Sequence, residues 1–192
     1  MPSKRKPAAR PVETEAKIRV ASLTAVRRRL VALSARLLSA RAFESNTLFD
    51  FPGDPLRVSG KSFRVRSYAE RGSVTLKGVA RVSSGLKSRE ELETEVESPG
   101  MLALILTALG LRPRFRYDKF REVWQVSKCV VCLDETPLDR FVEIEGSSRE
   151  IHRVAEALGL GSARFLSDSY PALWFAAGRT GDMVFTRRKT RS

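Results

Sequence analysis

From Val12 to Val20 the chain alternates. Val12, Thr14, Ala16, Ile18 and Val20 fall on one side of an extended strand, and Glu13, Glu15, Lys17 and Arg19 fall on the other. The same parity returns in Arg64 and Arg66, in Arg89, Glu91 and Glu93, in Lys119 and Arg121, and in Glu143 and Glu145. A single strand of this kind turns its charges to water. Repeated on nearly every strand, the pattern leaves two arrangements: a sheet with one wet face, or a sheet rolled with its charged face inward around a charged ligand.

The remaining pattern sets the elements. Ser22 is placed to cap a helix running to about Ala42, with Leu23, Val26, Leu30, Leu33 and Leu37 as its apolar stripe. The basic run Arg27 to Arg29 then reads as that helix's solvated face. Asn46 to Gly60 carries turn chemistry around Pro52-Gly53-Asp54-Pro55 and joins short extended pieces at Thr47–Phe51 and Leu56–Val58. Ser62–Tyr68 alternates, Gly72 marks a hairpin, and Val74–Gly78 returns with Thr75 and Lys77 on one face. Val79–Ser88 reads as a loop and Arg89–Val96 as a strand that stops before Ser98-Pro99. Ser98, Pro99 and Gly110 bracket a helix whose body, Met101–Leu109, is almost wholly apolar and is expected to be buried against the sheet. Arg114–Leu133 reads as two strands reversing near Phe120–Glu122, followed by a turn at Asp134–Asp139 and a strand at Phe141–Gly146. Ser147 and Glu150 form a capping box for a helix ending at Gly159. A last helix spans Ser169–Ala177, and Phe185 falls on a final extended piece. Strands and helices do not alternate strictly, which argues against a doubly wound parallel sheet. An α+β fold is expected, with an antiparallel β-barrel closed or nearly so and helices packed outside.

Composition narrows the function. At 192 residues, 42% of them hydrophobic, the chain suits one domain with a real core, taken as 12–185 between basic, disordered tails at 1–11 and 186–192. The net charge of +13 favours an anionic partner. Part of that excess lies in the tails, at Lys4, Arg5, Lys6 and Arg10 and at Arg187, Arg188, Lys189 and Arg191. No apolar run is long enough to span a bilayer, so a cytoplasmic protein without membrane contact is expected. Cys129 and Cys132 on a strand would lie roughly 10 Å apart and face opposite ways, too far for a disulfide. Zinc would need about four ligands, and the chain offers one His and no second cysteine pair, so two buried thiols are expected. His152 reads as a surface or edge side chain, and Trp124 and Trp174 as core. Asp134 fits a turn residue or an acid at the rim of a site.

The inward candidates are acids and bases together. Glu13, Glu15, Glu91, Glu93, Glu143 and Glu145 would repel one another in an enclosed space unless cations sat among them. An all-oxygen set suits Mg²⁺ or Mn²⁺. Lys17, Arg64, Arg66, Lys77, Arg89, Lys119 and Arg121 do not ligate metals but suit phosphate oxygens. Metal plus polyphosphate satisfies both halves of the set. A nucleic-acid binder would instead show basic, aromatic-interleaved surfaces with few acids, whereas here the acids share strands with the bases.

Glu13-Thr14-Glu15-Ala16-Lys17 resembles the ExExK signature of the CYTH superfamily, the triphosphate tunnel metalloenzymes. It is followed in that family's order by Phe63–Arg66, Thr75–Lys77, the acidic strand Arg89–Glu93, Lys119–Arg121 and Glu143–Glu145. The resemblance covers roughly Val12 to Leu173. It implies an eight-stranded antiparallel tunnel that binds a triphosphate-bearing small molecule (ATP, tripolyphosphate or thiamine triphosphate) with Mg²⁺ or Mn²⁺. It also implies that Glu13, Glu15, Glu143 and Glu145 hold metal, with Glu91 and Glu93 beside them. Arg64, Arg66, Lys77, Arg89, Lys119 and Arg121 would bind the triphosphate, and Lys17 with Glu15 would serve the attacking group. Within the superfamily, Cys132–Glu135, Phe141–Gly146 and Ser169–Leu173 are most similar to the class IV adenylate cyclase group; Asp139-Arg140 departs from the Leu-Gly often found there. Vertebrate thiamine triphosphatases place a Trp near the position of Ser62. The expected activity is adenylate cyclase-like, with triphosphatase as the alternative. A homodimer is left open.

Overall fold

The computed structural model describes residues 11–68, 71–161 and 164–186. Both basic tails, apart from Pro11 and Thr186, lie outside the described residues. The opening strand β1 (Val12–Arg19) leads into helix α1 (Leu23–Ala32), the long strand β2 (Arg36–Asp50) and a helical turn, α2 (Pro55–Val58). Strands β3 (Ser62–Tyr68), β4 (Arg71–Lys77), β5 (Arg81–Ser83) and β6 (Leu86–Val96) follow, then α3 (Pro99–Ala108). The second half carries β7 (Arg112–Val126), β8 (Cys129–Glu135), β9 (Arg140–Glu145), α4 (Ser148–Ala157), β10 (Phe165–Leu166) and α5 (Tyr170–Ala176).

The sheet order is β10-β1-β9-β8-β7-β2-β3-β4-β6-β5, and β1 also pairs with β6. That last pairing, Glu13 opposite Arg89 and Glu15 opposite Lys87, closes eight antiparallel strands into a barrel, with β5 and β10 as short outer additions. Closure removes the exposed strand edges that an open sheet would leave. Because successive residues face opposite ways, each barrel strand sends one parity outward to the helices and the other inward.

The outward parity makes the core. Ala16 and Ile18 of β1, Val131 and Leu133 of β8, and Val142 and Ile144 of β9 pack against Val26 and Leu30 of α1 and Ile151, Val154, Ala155 and Leu158 of α4. Tyr117 of β7, at the inward parity, joins Phe115, Tyr170 and Leu173 in seating α5 beside the barrel's cavity, and Val65 with Leu106 seats α3 on the outside of the β3–β4 wall. Ser22, Ser98, Ser147 and Ser169 each accept a backbone N–H from the first turn of their helices.

Several sequence expectations are corrected. Helix α1 does not reach Ala42: Leu33 caps it, Ser34 takes φ 54°, and the chain turns into β2, leaving Leu33 and Leu37 exposed. The spacing of Leu33 and Leu37 mimics a helical stripe, but the residues from Arg36 pair with β7. Arg27 and Arg29 are not merely solvated: Arg27 grips Glu122 at 2.7 Å, and Arg29 donates to the Leu158 carbonyl. Leu56–Val58 is a helical turn rather than an extended piece, its N–H groups held by Asp50. Gly72 lies within β4, where a Cβ would come 2.8 Å from Pro99, so its role is to seat α3. Val79–Ser88 holds β5 and the start of β6 instead of a loop. The reversal expected near Phe120–Glu122 falls at Ser127-Lys128, making β7 one strand of 15 residues. Asp134 is neither turn nor rim; it sits on β8 with no exposure. Met101–Leu109 is largely exposed, with only Leu106 buried in α3. Phe185 belongs to no strand; its ring packs 5.2 Å from Phe120.

Trp124, Cys129 and Cys132 are buried as expected, and both thiols are free. Trp174 is half-buried against the α5 cluster, and His152 stacks on Phe165 with ring centres 5.4 Å apart. Among the described residues no helix is long and apolar enough to cross a membrane.

Ile144 is fully buried between β9's neighbours and the helix pair. Ile144→Ala is expected to lower unfolding free energy by about 2–5 kcal/mol through lost contact and a residual cavity, measured by urea denaturation followed by circular dichroism.

Candidate active site

The inward parity of the barrel lines a cavity of about 1080 Å³. Every acid and base singled out in the sequence reaches it: Glu13, Glu15 and Lys17 from β1, Arg64 and Arg66 from β3, Lys77 from β4, Arg89, Glu91 and Glu93 from β6, Lys119 and Arg121 from β7, and Glu143 and Glu145 from β9. They converge because each stands at the inward parity of its strand and the strands are in register. Glu15 faces Glu145 across β1–β9, and Lys17 faces Glu143.

Charge compensation organises the walls. Lys77 and Arg89 share Glu91 at 2.6 and 2.9 Å. Arg64 reaches Glu93 at 3.3 Å and Thr75 at 3.1 Å. Lys87 holds Glu15 at 2.8 Å. Lys17 lies 3.4 Å from Glu143, donates to the Asp168 carbonyl at 2.9 Å and stands 4.1 Å from the Tyr170 ring centre. Arg121 grips Asp134 through two nitrogens and also touches Glu143. Lys119 bridges Asp134 at 3.0 Å and Glu44 at 3.4 Å, and Arg66 approaches Glu44 at 3.5 Å.

Glu44, Lys87 and Tyr170 were not picked out from the sequence, and Asp134 was placed between a turn and the rim of a site. Glu44 and Lys87 are buried tunnel charges that fell in the unassigned gap after the expected helix and in the expected loop; strand assignments at 36–50 and 86–96 would have put them inward by parity. Asp134 anchors Lys119 and Arg121 and accepts the Tyr170 hydroxyl at 2.6 Å. Tyr170, the first residue of α5, thereby joins the wall beneath Lys17 and Lys119.

Two carboxylates stand apart. Among the described residues neither Glu13 nor Glu145 has a cation within ion-pair distance. Burial, then Glu91 and Glu145, push the Glu13 carboxyl up to about 7. Burial also raises Glu145, with Glu143 and Glu15 adding to the effect and Arg121 opposing it. Glu15 is held below its ordinary value: burial and Glu143 work against ionisation, but Lys87 and Lys17 prevail. Glu143, despite burial, is held well down by Arg121, Lys119 and Lys17. Burial lowers Lys17 despite Glu143 and Glu15, and lowers Lys77 to about 8 with help from Arg64 and Arg89. Lys119 is raised: burial and Arg121 are outweighed by Asp134, Glu44 and Glu143.

Carboxylate oxygens of Glu15, Glu143 and Glu145 come within 4.8 Å of one another. Three acids so close, one of them unpaired and proton-seeking, fit a hard divalent cation. Glu13 adjoins this set through its repulsion with Glu145, whereas Glu91 and Glu93 are engaged by Lys77, Arg89, Arg64 and Thr75.

A tunnel of this composition carries its own comparison. The CYTH domain family model matches residues 12–162. A Methanocaldococcus jannaschii protein named "Putative adenylate cyclase MJ0240" is 24% identical over 148 residues, covering 77% of this chain and 83% of that protein. A Vibrio parahaemolyticus structure described as a putative adenylate cyclase superposes with a TM-score of 0.76 at 18% identity, over 85% of this chain and 97% of its own. A Hippeastrum structure, described as a putative adenylyl cyclase revealing a dominant triphosphatase activity, gives 0.68 at 20% identity, over 88% and 97%. At these identities the structural likeness speaks for the fold. The family match spans well over half the chain, so the chain belongs to the CYTH domain family and is an enzyme of that type.

Proposed function

We propose that this chain is a metal-dependent enzyme that cleaves a triphosphate held in the barrel, with ATP cyclised to cyclic AMP and pyrophosphate as its reaction. The observation that carries the reading is the enclosed convergence of a three-carboxylate cluster with basic side chains from five strands. Neither set alone would be a stable resident of a cavity; together they suit a metal and a polyanion.

In this reading Glu15, Glu143 and Glu145 hold Mg²⁺ or Mn²⁺, with Glu13 in support. Such an ion supplies charge neutralisation at the phosphate oxygens and lowers the pKa of a coordinated hydroxyl or water. Arg64, Arg66, Lys77, Lys87 and Arg89 bind the phosphate chain, exchanging their present carboxylate partners for phosphate oxygens. Lys119 and Arg121 are oriented by Asp134, whose grip presets their positions before substrate arrives. Lys17, with its proton affinity lowered by burial, stands where it can take or steer the proton of the attacking hydroxyl. In the cyclase the 3′-hydroxyl attacks the α-phosphorus and pyrophosphate leaves. Leu48, Pro171, Ala172 and Phe175 give the cavity an apolar stretch on which a nucleobase can rest, which favours a nucleotide.

Hydrolysis is the second reading, favoured by the Hippeastrum relative's reported activity. The same grip would then place the γ-phosphorus before a water. Presenting ATP, thiamine triphosphate and tripolyphosphate side by side, with cyclic AMP, pyrophosphate and orthophosphate resolved, separates the readings. Cyclic AMP with equimolar pyrophosphate is expected; orthophosphate as the main product from all three would replace cyclisation by hydrolysis. Undiminished turnover in excess chelator would remove the metal from both.

Glu145→Ala is expected to reduce turnover by at least about 100-fold. It leaves no buried cation unpaired, so its thermal midpoint should stay within about 5 °C of the parent. Glu143→Ala is the poorer probe: it strips a partner from buried Lys17 and Arg121, and such a loss costs about 3–5 kcal/mol in stability.

Metal binding has its own readout in the absence of substrate. The folded Glu13 carboxyl titrates at about 7 against 4.5 for the ordinary group, so between those values the folded state holds a proton that the unfolded state has lost. Stability from this group therefore falls as pH rises from 4.5 through 7, and Glu13→Gln should flatten that slope. Added Mg²⁺ should raise the thermal midpoint most above neutrality and progressively less as protons compete below it. An equal Mg²⁺ shift at both ends of the range, unaffected by Glu145→Gln, would contradict the assigned ligands.

A further inference from the structure

Helix α3 turns an apolar face to solvent. Its inner side chains Leu102, Ala103 and Leu106 join Phe49, Val65 and Leu111 over the barrel wall. Met101, Leu104, Ile105 and the capping Leu109 point away and are 56, 65, 49 and 68% exposed. A helix apolar around its whole circumference is at home in a core or against a partner, and adjoining large apolar side chains in water mark a contact surface. The same wall continues the apolar surface: Leu76 and Leu92 stand in register with Phe63 across β3, β4 and β6 and are 36 and 43% exposed. The helix is seated rigidly, with Pro99 pressed onto the bare backbone of Gly72, so this face is preformed.

The flanks of α3 say what covers it. At its amino end Glu95 is taken by Arg71 at 3.6 Å, and beyond its carboxyl end Arg114 is taken by Asp54 at 2.6 Å. That leaves Glu97 exposed at one end and Arg112 exposed at the other, neither with an ion-pair partner among the described residues. We propose that this face is the contact between two copies of the chain, with α3 packed antiparallel on α3 of the second copy about a two-fold axis. The helix is about 15 Å long, so antiparallel packing brings each Glu97 to the other copy's Arg112, twice by symmetry. Parallel packing would oppose like charges. An anionic lipid surface would call for basic flanks at both ends, and one end of α3 is acidic. The contact is independent of the proposed reaction, since α3, Glu97 and Arg112 lie outside the tunnel lining.

Sedimentation equilibrium of the full chain at micromolar concentrations should give a dimer. Leu104→Asp with Leu109→Asp should give a monomer with the parent's circular dichroism, because both positions are exposed, and with a thermal midpoint that, unlike the parent's, does not rise with protein concentration. Glu97→Arg alone and Arg112→Glu alone should each weaken the dimer by about tenfold or more, and the combined reversal should restore it. A monomeric parent, a dimer that survives the double aspartate substitution, or a combined reversal no better than its components would overturn the proposal. Co-flotation of a monomeric parent with anionic phosphatidylserine vesicles would assign the face to lipid instead.

Discussion

The structure depends on compensated charge in an enclosed space. Removing a carboxylate or an ammonium from water costs several kcal/mol even after relaxation, and close pairing with good hydrogen bonds is what offsets it. The barrel's inner wall meets that condition residue by residue: Glu91 between Lys77 and Arg89, Glu44 between Lys119 and Arg66, Asp134 between Lys119, Arg121 and Tyr170. The outer wall over β1, β8 and β9 is ordinary by comparison, an aliphatic surface covered by α1 and α4. Stability comes chiefly from outside the barrel, and the interior is held at tolerable cost by its own counter-ions.

That balance couples the two ligands of the proposed reaction. A phosphate chain gripped by Lys77 and Arg89 would take them from Glu91, leaving a carboxylate exposed to its neighbour Glu13, which itself feels Glu145. A divalent cation among the acids would relieve that repulsion. Conversely, a cation held by Glu15 would compete with Lys87 and free it for phosphate. Each ligand releases the partner that the other needs, so the affinities are expected to be mutually reinforcing, and by linkage equally so in both directions.

The sequence carried the inward-facing charges better than the element boundaries around them. Inward charges were legible because strand parity is strict: once Glu13 and Glu15 share a face, Lys17 must share it too. The barrel followed from recurrence of that parity on strand after strand. Boundaries were lost where a local signal imitated another element. Leu33 and Leu37 kept helical spacing past the end of α1, and only the left-handed backbone at Ser34, unmarked by glycine, turns the chain into β2. Glu44 fell in the gap which that error left before Asn46, and Lys87 in the Ser- and Gly-rich run read as a loop. Asp134 shows a different limit: its neighbours Pro137 and Asp139 speak for a turn, but its partners Lys119, Arg121 and Tyr170 come from 13 to 36 residues away, beyond any local pattern.

Strand β1 has both barrel neighbours far down the chain, β6 on one side and β9 on the other. Its own hydrogen bonds therefore wait on the last barrel strand to be made, and contacts of such long sequence separation form late and slowly. During synthesis the β2–β3–β4 hairpins can pair as they emerge, while the opening strand stays without its second neighbour until β9 has left the ribosome. The carboxylates it carries meet Glu143 and Glu145 only at that moment. A dissolved cation thus has no assembled cluster to nucleate around; it finds a finished barrel or none.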